Sequence, residues 1–347
     1  MRRLPVASLA LLAVLLGRLP DVAAAGERQN PFPPRARYVE AMQNPKHYLR
    51  DPWLRAARVS TKDGKVVSFH GAMASTFRVS KAGHTIALRV FHPPTDAVDR
   101  MDLDVLDERY KLLTGYLGKL KLAGKLPPEV LDIDYVPAAM EIDDVELPAI
   151  KLPWVEGVTL DEYVDLKVRK PAALRGQAAN LRSMVGDMRA SKLALGDLRH
   201  SNILIEPSGM PRLVDYDGMY APAIAHLGSS EIGDSNYQHP SHFFPRRPRV
   251  FSDKIDRFSS IVIYLSMHAV AADPSLWDEF HDDNRLIFSH RDFKAPAESQ
   301  VFQRVLQSKD PRVVKLAGQL ARYAQGDSEK VPHLDQAARL AGFADDE

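Results

Sequence analysis

The 347-residue sequence has no cysteine, which excludes disulfides, cysteine-ligated zinc and thiol catalysis and leaves the redox compartment open. It also lacks a charge imbalance. Lysine and arginine number 46 against 45 aspartate and glutamate, a net of +1, so nothing in the bulk composition points to a nucleic-acid partner. No apolar run is long enough for a stable membrane span: the best, Leu4 to Leu16, contains Pro5 and stops at Gly17-Arg18. There is no internal repeat. What is present is an ordinary globular balance, 45% hydrophobic and 26% charged, in a length that suits two domains or one bilobal unit.

Residues 1–25 have the three parts of a secretory signal peptide: Arg2-Arg3, the apolar run, and Ala23-Ala24-Ala25 before Gly26. Two readings stand, an exported chain or a start codon assigned too far upstream. Residues 26–37, with Asn30-Pro31-Phe32-Pro33-Pro34 at their centre, read as an extended Pro-rich linker. The basic cluster Arg246-Arg247-Pro248-Arg249 reads as a solvated loop, with an anion site as the alternative.

From Tyr38 to Leu54, Asn44-Pro45 and Asp51-Pro52 break the chain into a short helix and turns. Val66–Phe69, Thr76–Val79 and Thr85–Phe91 are then strand-like. The small residues Gly71 to Ser75 and the turn Lys81-Ala82-Gly83-His84 join them into an antiparallel meander. Between Asp99 and Leu122, Leu103, Leu106, Tyr110, Leu113 and Leu117 share one helical face. Two more strands are expected at Val130–Val136 and Leu147–Leu152, around Asp143-Asp144. This makes a five-stranded sheet with one helix after the third strand. Pro153-Trp154-Val155-Glu156-Gly157 reads as a hinge. A helix beginning at Leu160 and another over Ala178–Leu193, striped by Leu181, Met184, Val185 and Met188, follow it.

The chemistry concentrates between Leu195 and Gly218. Leu195-Gly196-Asp197-Leu198-Arg199-His200-Ser201-Asn202 leads into the apolar Ile203-Leu204-Ile205. After a turn at Pro207-Ser208-Gly209 comes Arg212-Leu213-Val214-Asp215-Tyr216-Asp217-Gly218. Two acids and an amide are thereby brought to the mouth of one hairpin. A long segment of low periodicity follows, ending in Asn236-Tyr237-Gln238-His239-Pro240, and such loops inside compact domains are usually functional or disordered. Asp256 then opens a helix that is apolar nearly all round, as expected at the centre of a helical domain.

In order and spacing this set resembles the protein kinase superfamily, and more closely divergent bacterial serine/threonine protein kinase-like proteins. Those proteins carry a Gly-Asp-Leu loop, an Asp-Tyr-Asp-Gly-Met loop and an Asn-Tyr-Gln-His-Pro element. The resemblance covers about residues 38 to 340. It implies an α+β, bilobal protein kinase-like fold, with a small antiparallel-sheet N-lobe carrying one helix (38–152), a hinge (153–157) and a mainly helical C-lobe (158–347). The implied activity is ATP-dependent phosphoryl transfer to a protein hydroxyl, with ATP and Mg2+ as cofactors and an unidentified protein substrate. By the same resemblance Asp197 is the catalytic base and Arg199 stands near the transferred phosphoryl group. Asn202 and Asp215 hold the metal, and the backbone at Trp154 and Val155 takes adenine. The loop at Gly71 covers the phosphates, Arg89 grips them, and Glu108 on the following helix is the partner of Arg89. Asp256 ties down the catalytic loop.

Three positions depart from the family's pattern. Arg89 replaces the usual lysine, Leu195-Gly196 replaces His-Arg before Asp197, and Asp217 stands where the metal loop has glycine. Arg and Lys are not interchangeable at a phosphate, and an Arg lying on the sheet with its head in solvent is an open alternative for Arg89. The Gly71 loop has one glycine and also reads as a plain hairpin turn. His239 and His242 have a metal-ligand spacing but no third ligand, so structural roles are preferred. Beside the active kinase stand two alternatives: a pseudokinase acting as a nucleotide-binding scaffold, and a small-molecule phosphotransferase of the aminoglycoside kinase type. Cytoplasmic residence follows from ATP use and export from the leader, so the compartment stays open, as does the oligomeric state.

Overall fold

The computed structural model describes residues 32–71, 73–92, 102–243 and 249–344. The signal-peptide-like segment expected at residues 1–25 and most of the Arg246–Arg249 cluster lie outside them. Pro34 is extended (ψ 155°) and the chain turns directly into helix α1, Arg35–Gln43, inside the stretch expected to be linker; Phe32 is already buried. Proline fixes φ and gives up no hydrogen bond at a helix start, so a Pro pair can introduce a helix as readily as extend a linker. Two single turns follow, α2 (Pro45–Tyr48) and α3 (Pro52–Arg55), each beginning at a proline, with Asp51 accepting from the Leu54 N–H in the second.

The main sheet has six strands, one more than expected, all antiparallel. They are β1 (Arg58–Val59), β4 (Ser68–His70), β5 (Ala74–Lys81), β6 (His84–Phe91), β7 (Asp134–Ile142) and β8 (Val145–Pro153), in the order β1-β5-β6-β8-β7 with β4 also on β5. A small ladder of β2 (Thr61–Lys62) and β3 (Lys65–Val66) leads into it. The strand expected from Val130 starts only at Asp134, because Val130 instead bridges Leu213 in the helical part.

Alternation assigns the two faces. Phe77, Leu88 and Lys151 form one cross-strand row, and Lys151 reaches Asp51 at the start of α3 (2.8 Å), so the N-terminal helices lie on that face. Phe69, Thr76, Arg89 and Ile150 form the adjacent row and face the other way.

Helix α4, Leu103–Leu122, buries the expected stripe: Leu106, Tyr110, Leu113 and Leu117 are inside. Beyond β9 (Val158–Thr159) come α5 (Leu160–Lys167), closed by a Thr159–Glu162 capping box, and α6 (Pro171–Ala190). Helix α6 starts seven residues before the expected Ala178, at a proline that again suits the first turn. The hairpin β10 (Ile203–Ile205) and β11 (Pro211–Leu213) pairs with β9. Helix α7, Arg257–Ala272, is buried at every position from Phe258 to Ala271, as its sequence predicts. Helices α8 (Ser275–Phe280), α9 (His290–Lys294), α10 (Gln300–Val305), α11 (Pro311–Ala324) and α12 (Leu334–Ala341) complete the helical part. Among the described residues no helix is long and apolar enough to cross a membrane.

One core histidine sets a pH limit on the fold. His268 of α7 is 2% exposed, sits between Tyr264 and Phe343 (ring centroids 4.5 and 4.4 Å), and neither ring nitrogen has a hydrogen bond. Burial, helped by Arg312, pushes its pKa down to about 3. In the unfolded chain it would protonate near pH 6.5, so between about pH 6.5 and 3 the unfolded state binds a proton that the native state does not. Stability therefore falls as pH drops through that window. Replacing His268 with Leu should remove about 2 kcal/mol of the stability lost between pH 7 and pH 5. Urea denaturation at the two pH values checks this, and an equal loss in both proteins would refute it.

Candidate functional site

The loop before β10 is fixed from below. Asp256, the residue before α7, accepts the backbone N–H groups of Leu195 and of Gly196 (2.9 Å for the latter). Burial pushes the Asp256 carboxyl up to about 6, against the opposing pull of the Leu195 N–H and Arg249. Gly196 has φ 84°, and a Cβ there would lie 2.0 Å from the Gly218 carbonyl oxygen, so only glycine lets the two loops touch. Ala194 and Tyr220 exchange backbone hydrogen bonds beside them. The residues before Asp197 and those after Asp215 are thus held together by main chain.

Asp197 is 6% exposed and almost fully engaged. Its Oδ2 accepts from Asn202 Nδ2 (3.2 Å) and lies 3.1 Å from Arg199 Nε; its Oδ1 accepts the backbone N–H of Asp234 (2.7 Å). Arg199 also reaches Asp234 (3.3 Å). Gly233, φ 85°, passes so close that a Cβ would come within 2.8 Å of Asp197 Oδ1. Asn202 Nδ2 also donates to the Asp197 carbonyl (2.8 Å), and the Asn202 backbone carbonyl accepts from the Val214 N–H (3.0 Å), which pairs its main chain with the residue preceding Asp215.

Asp215 has a left-handed backbone, φ 65°, uncommon for a side chain with a Cβ and typical of positions held by their surroundings. Its Oδ1 accepts from Arg89 Nη2 (2.8 Å). Burial raises its pKa; Arg89 opposes the rise and Asp217 and Asp197 add to it. The same Nη2 of Arg89 donates to Asp217 Oδ2 (2.5 Å). Burial alone would weaken the charge on Arg89, but Asp215 and Asp217 reverse this and hold the guanidinium protonated. Arg89 Nε is buried with no partner. Arg89 thus joins the sheet to the loop bearing Asp215 and Asp217, and its head does not lie free in solvent.

The expected partner of Arg89 is a correction. Glu108 is 53% exposed and faces His226 at 3.4 Å. It is two residues from Leu106 and from Tyr110, which are both buried, and so it falls on the outer face of α4. The acid that serves Arg89 is Asp217, whose other oxygen accepts the Tyr110 hydroxyl and whose backbone carbonyl accepts from Ser230. Gly71 lies in the turn between β4 and β5. Its N–H is taken by the Ala74 carbonyl (2.8 Å) and its own carbonyl accepts from Arg35 (2.8 Å), so this amide is not available to a phosphate.

At the far end of the same sheet face the Trp154 N–H donates to the Thr85 carbonyl (3.2 Å), while the Val155 N–H has no backbone partner among the described residues. The Trp154 ring meets Phe69 (5.9 Å) and lies under the Arg78 guanidinium (4.9 Å), making an aromatic wall there. His239 is structural: its nitrogens are engaged with Ser241 (2.8 Å) and the Tyr323 carbonyl (2.9 Å).

Two participants had no signal in the spacing. Arg249, expected in a solvated loop, donates to the Ile232 carbonyl and has Nε and Nη2 buried without partners near Asp256 and Glu231. Glu231 packs on Gly218; burial, then Asp217, Asp215 and Asp197, push its pKa up to about 8. Asp217 did have a signal: it is an acid where the pattern of the resembled family has glycine.

As a magnesium site the donors are few. Asn202 Oδ1 and Asp215 Oδ2 are hard oxygens left free by the contacts above, but among the described residues no cluster of three or more His, Cys, Asp or Glu is placed to hold a metal. Such a pair fits Mg2+ only with waters and nucleotide phosphates as the remaining ligands. No protein-family model matches the chain, and no curated protein is significantly similar to it.

Asp256→Ala would leave two buried N–H groups unpaired, and should destabilise the protein by about 2–4 kcal/mol. Urea unfolding measures it; a change under about 0.5 kcal/mol would show that the loop does not hang on this carboxylate.

Proposed function

We propose that the chain is an ATP-dependent phosphotransferase acting on a protein hydroxyl, with a bilobal protein kinase-like fold in which the six-stranded sheet and the helical part are the two lobes. One observation carries this reading: Arg89 reaches from the sheet to Asp215 at the hairpin that also bears Asp197 and Asn202. A cation for the phosphates, an acid and an amide for a metal, and a second acid for the attacking hydroxyl then stand in the order phosphoryl transfer needs. The unpartnered Nε of Arg89 supports the reading further. With Nη2 committed to acids, the remaining N–H groups suit an anion.

In this mechanism Asp197 orients the hydroxyl and accepts its proton, and Arg199, already beside Asp197, meets charge on the transferred group. Asn202 and Asp215 would hold Mg2+, which when bound neutralises charge on the phosphates. The Val155 N–H and the aromatic wall at Trp154 and Phe69 suit a purine. A second reading, a nucleotide-binding module without turnover, is favoured by the Asp234 N–H on Asp197 Oδ1, which occupies part of the acceptor needed by a substrate hydroxyl.

The full chain incubated with γ-labelled ATP, Mg2+ and a generic protein acceptor should transfer label, and Asp197→Ala should reduce the rate about 10³-fold. Thermal stabilisation by ATP without transfer to any acceptor would decide for the binding module. Transfer to a sugar or aminoglycoside but never to protein would replace the substrate class.

A further inference from the structure

Arg89 is held by a partner that spacing along α4 did not indicate. Asp217 is nearly buried, and its two carboxylate oxygens are divided between Arg89 Nη2 and the Tyr110 hydroxyl. Tyr110 is itself fixed: it is 1% exposed, its ring lies 5.3 Å from Phe91 and stacks on Tyr135 at 5.7 Å, and Tyr135 donates to Asp107 one turn back (3.2 Å). The chain of contacts runs from α4 through a phenol to an acid two residues beyond Asp215, and from that acid to the guanidinium.

We infer that Asp217 and Tyr110 are positioning residues for Arg89, doing together what a carboxylate on α4 would do for a lysine; the inference rests on the phosphotransferase reading above. An arginine can serve this arrangement because one nitrogen satisfies the acids while Nε and Nη1 stay on the same rigid plane, aimed elsewhere. A single ammonium would have to divide its charge between the acids and the phosphate. Tyr110 contributes by fixing the Asp217 carboxylate, whose rotation would carry Nη2 with it. Glu108, on the opposite side of the helix, has no part.

The test is calorimetric titration of the full chain with adenosine, ADP and ATP, with and without Mg2+, for wild type, Tyr110→Phe, Asp217→Asn and Glu108→Gln. Tyr110→Phe and Asp217→Asn should weaken ATP and ADP about tenfold and leave adenosine unchanged, because the base does not touch Arg89. Glu108→Gln should bind all three as wild type does. Equal loss of adenosine and ATP in Tyr110→Phe would mean a structural role only, and unchanged ATP binding would mean no role. Either result overturns the inference while the phosphotransferase reading stands. Should Asp217→Asn fail to fold, Tyr110→Phe alone carries the comparison, since removing one hydroxyl keeps the ring stack. Wild type that binds neither adenosine nor ATP removes the parent reading and this one with it.

Discussion

The arrangement depends on how four carboxylates are kept close together. Asp197, Asp215, Asp217 and Glu231 are near enough for each to disturb its neighbours, and burial makes such crowding expensive. Three arginines from distant parts of the chain answer it. Arg89 comes from the sheet, Arg199 from the loop itself, and Arg249 from the far side of the long segment after Gly218. Glu231 avoids part of the problem by keeping its proton to about pH 8. A protein that merely needed to fold would fill this volume with apolar side chains. Opposed charge retained in one partly buried place is what the proposed phosphotransferase reading rests on.

Around that balance the main chain is tied by several contacts. Asp256 grips the loop from beneath, Gly196 and Gly218 touch without side chains, and Gly233 lays the later segment against Asp197. Gln238 secures the Gly196 carbonyl (3.0 Å), and the Tyr237 hydroxyl contacts His200 and accepts the Leu286 N–H (3.0 Å). The Asn-Tyr-Gln-His-Pro element thus holds the loop around Gly196 and His200 through its side chains.

Elements were legible where one face or a complete burial fixed the pattern. The stripe of α4 and the all-round apolar α7 follow directly from residue spacing, and Asp197 and Asn202, five positions apart on one loop, do meet through a hydrogen bond. Ends were less legible. Prolines at Pro34 and Pro171 announce a helix as well as a break, and only packing of the following turn decides between them. Val130 looks like strand by composition but spends its pairing on Leu213, a contact between distant segments. The partner of Arg89 was missed for a similar reason. A family pattern placed it on α4, whereas the charge requirement of a guanidinium is met locally, two residues from Asp215.

Helix α4 is stitched to the helical part along its length. Arg109 donates to the Gly228 carbonyl (2.7 Å), Tyr110 to Asp217, and Tyr116 to the Ser191 carbonyl (3.0 Å). Swinging the helix outward would strand three acceptors and three donors at once, each lost pair costing about 1–3 kcal/mol where it stays buried. Mechanically, then, α4 is coupled to the helical part at three points. Any displacement of α4 from the helical part has to break these contacts or carry Asp217, Gly228 and Ser191 along with it.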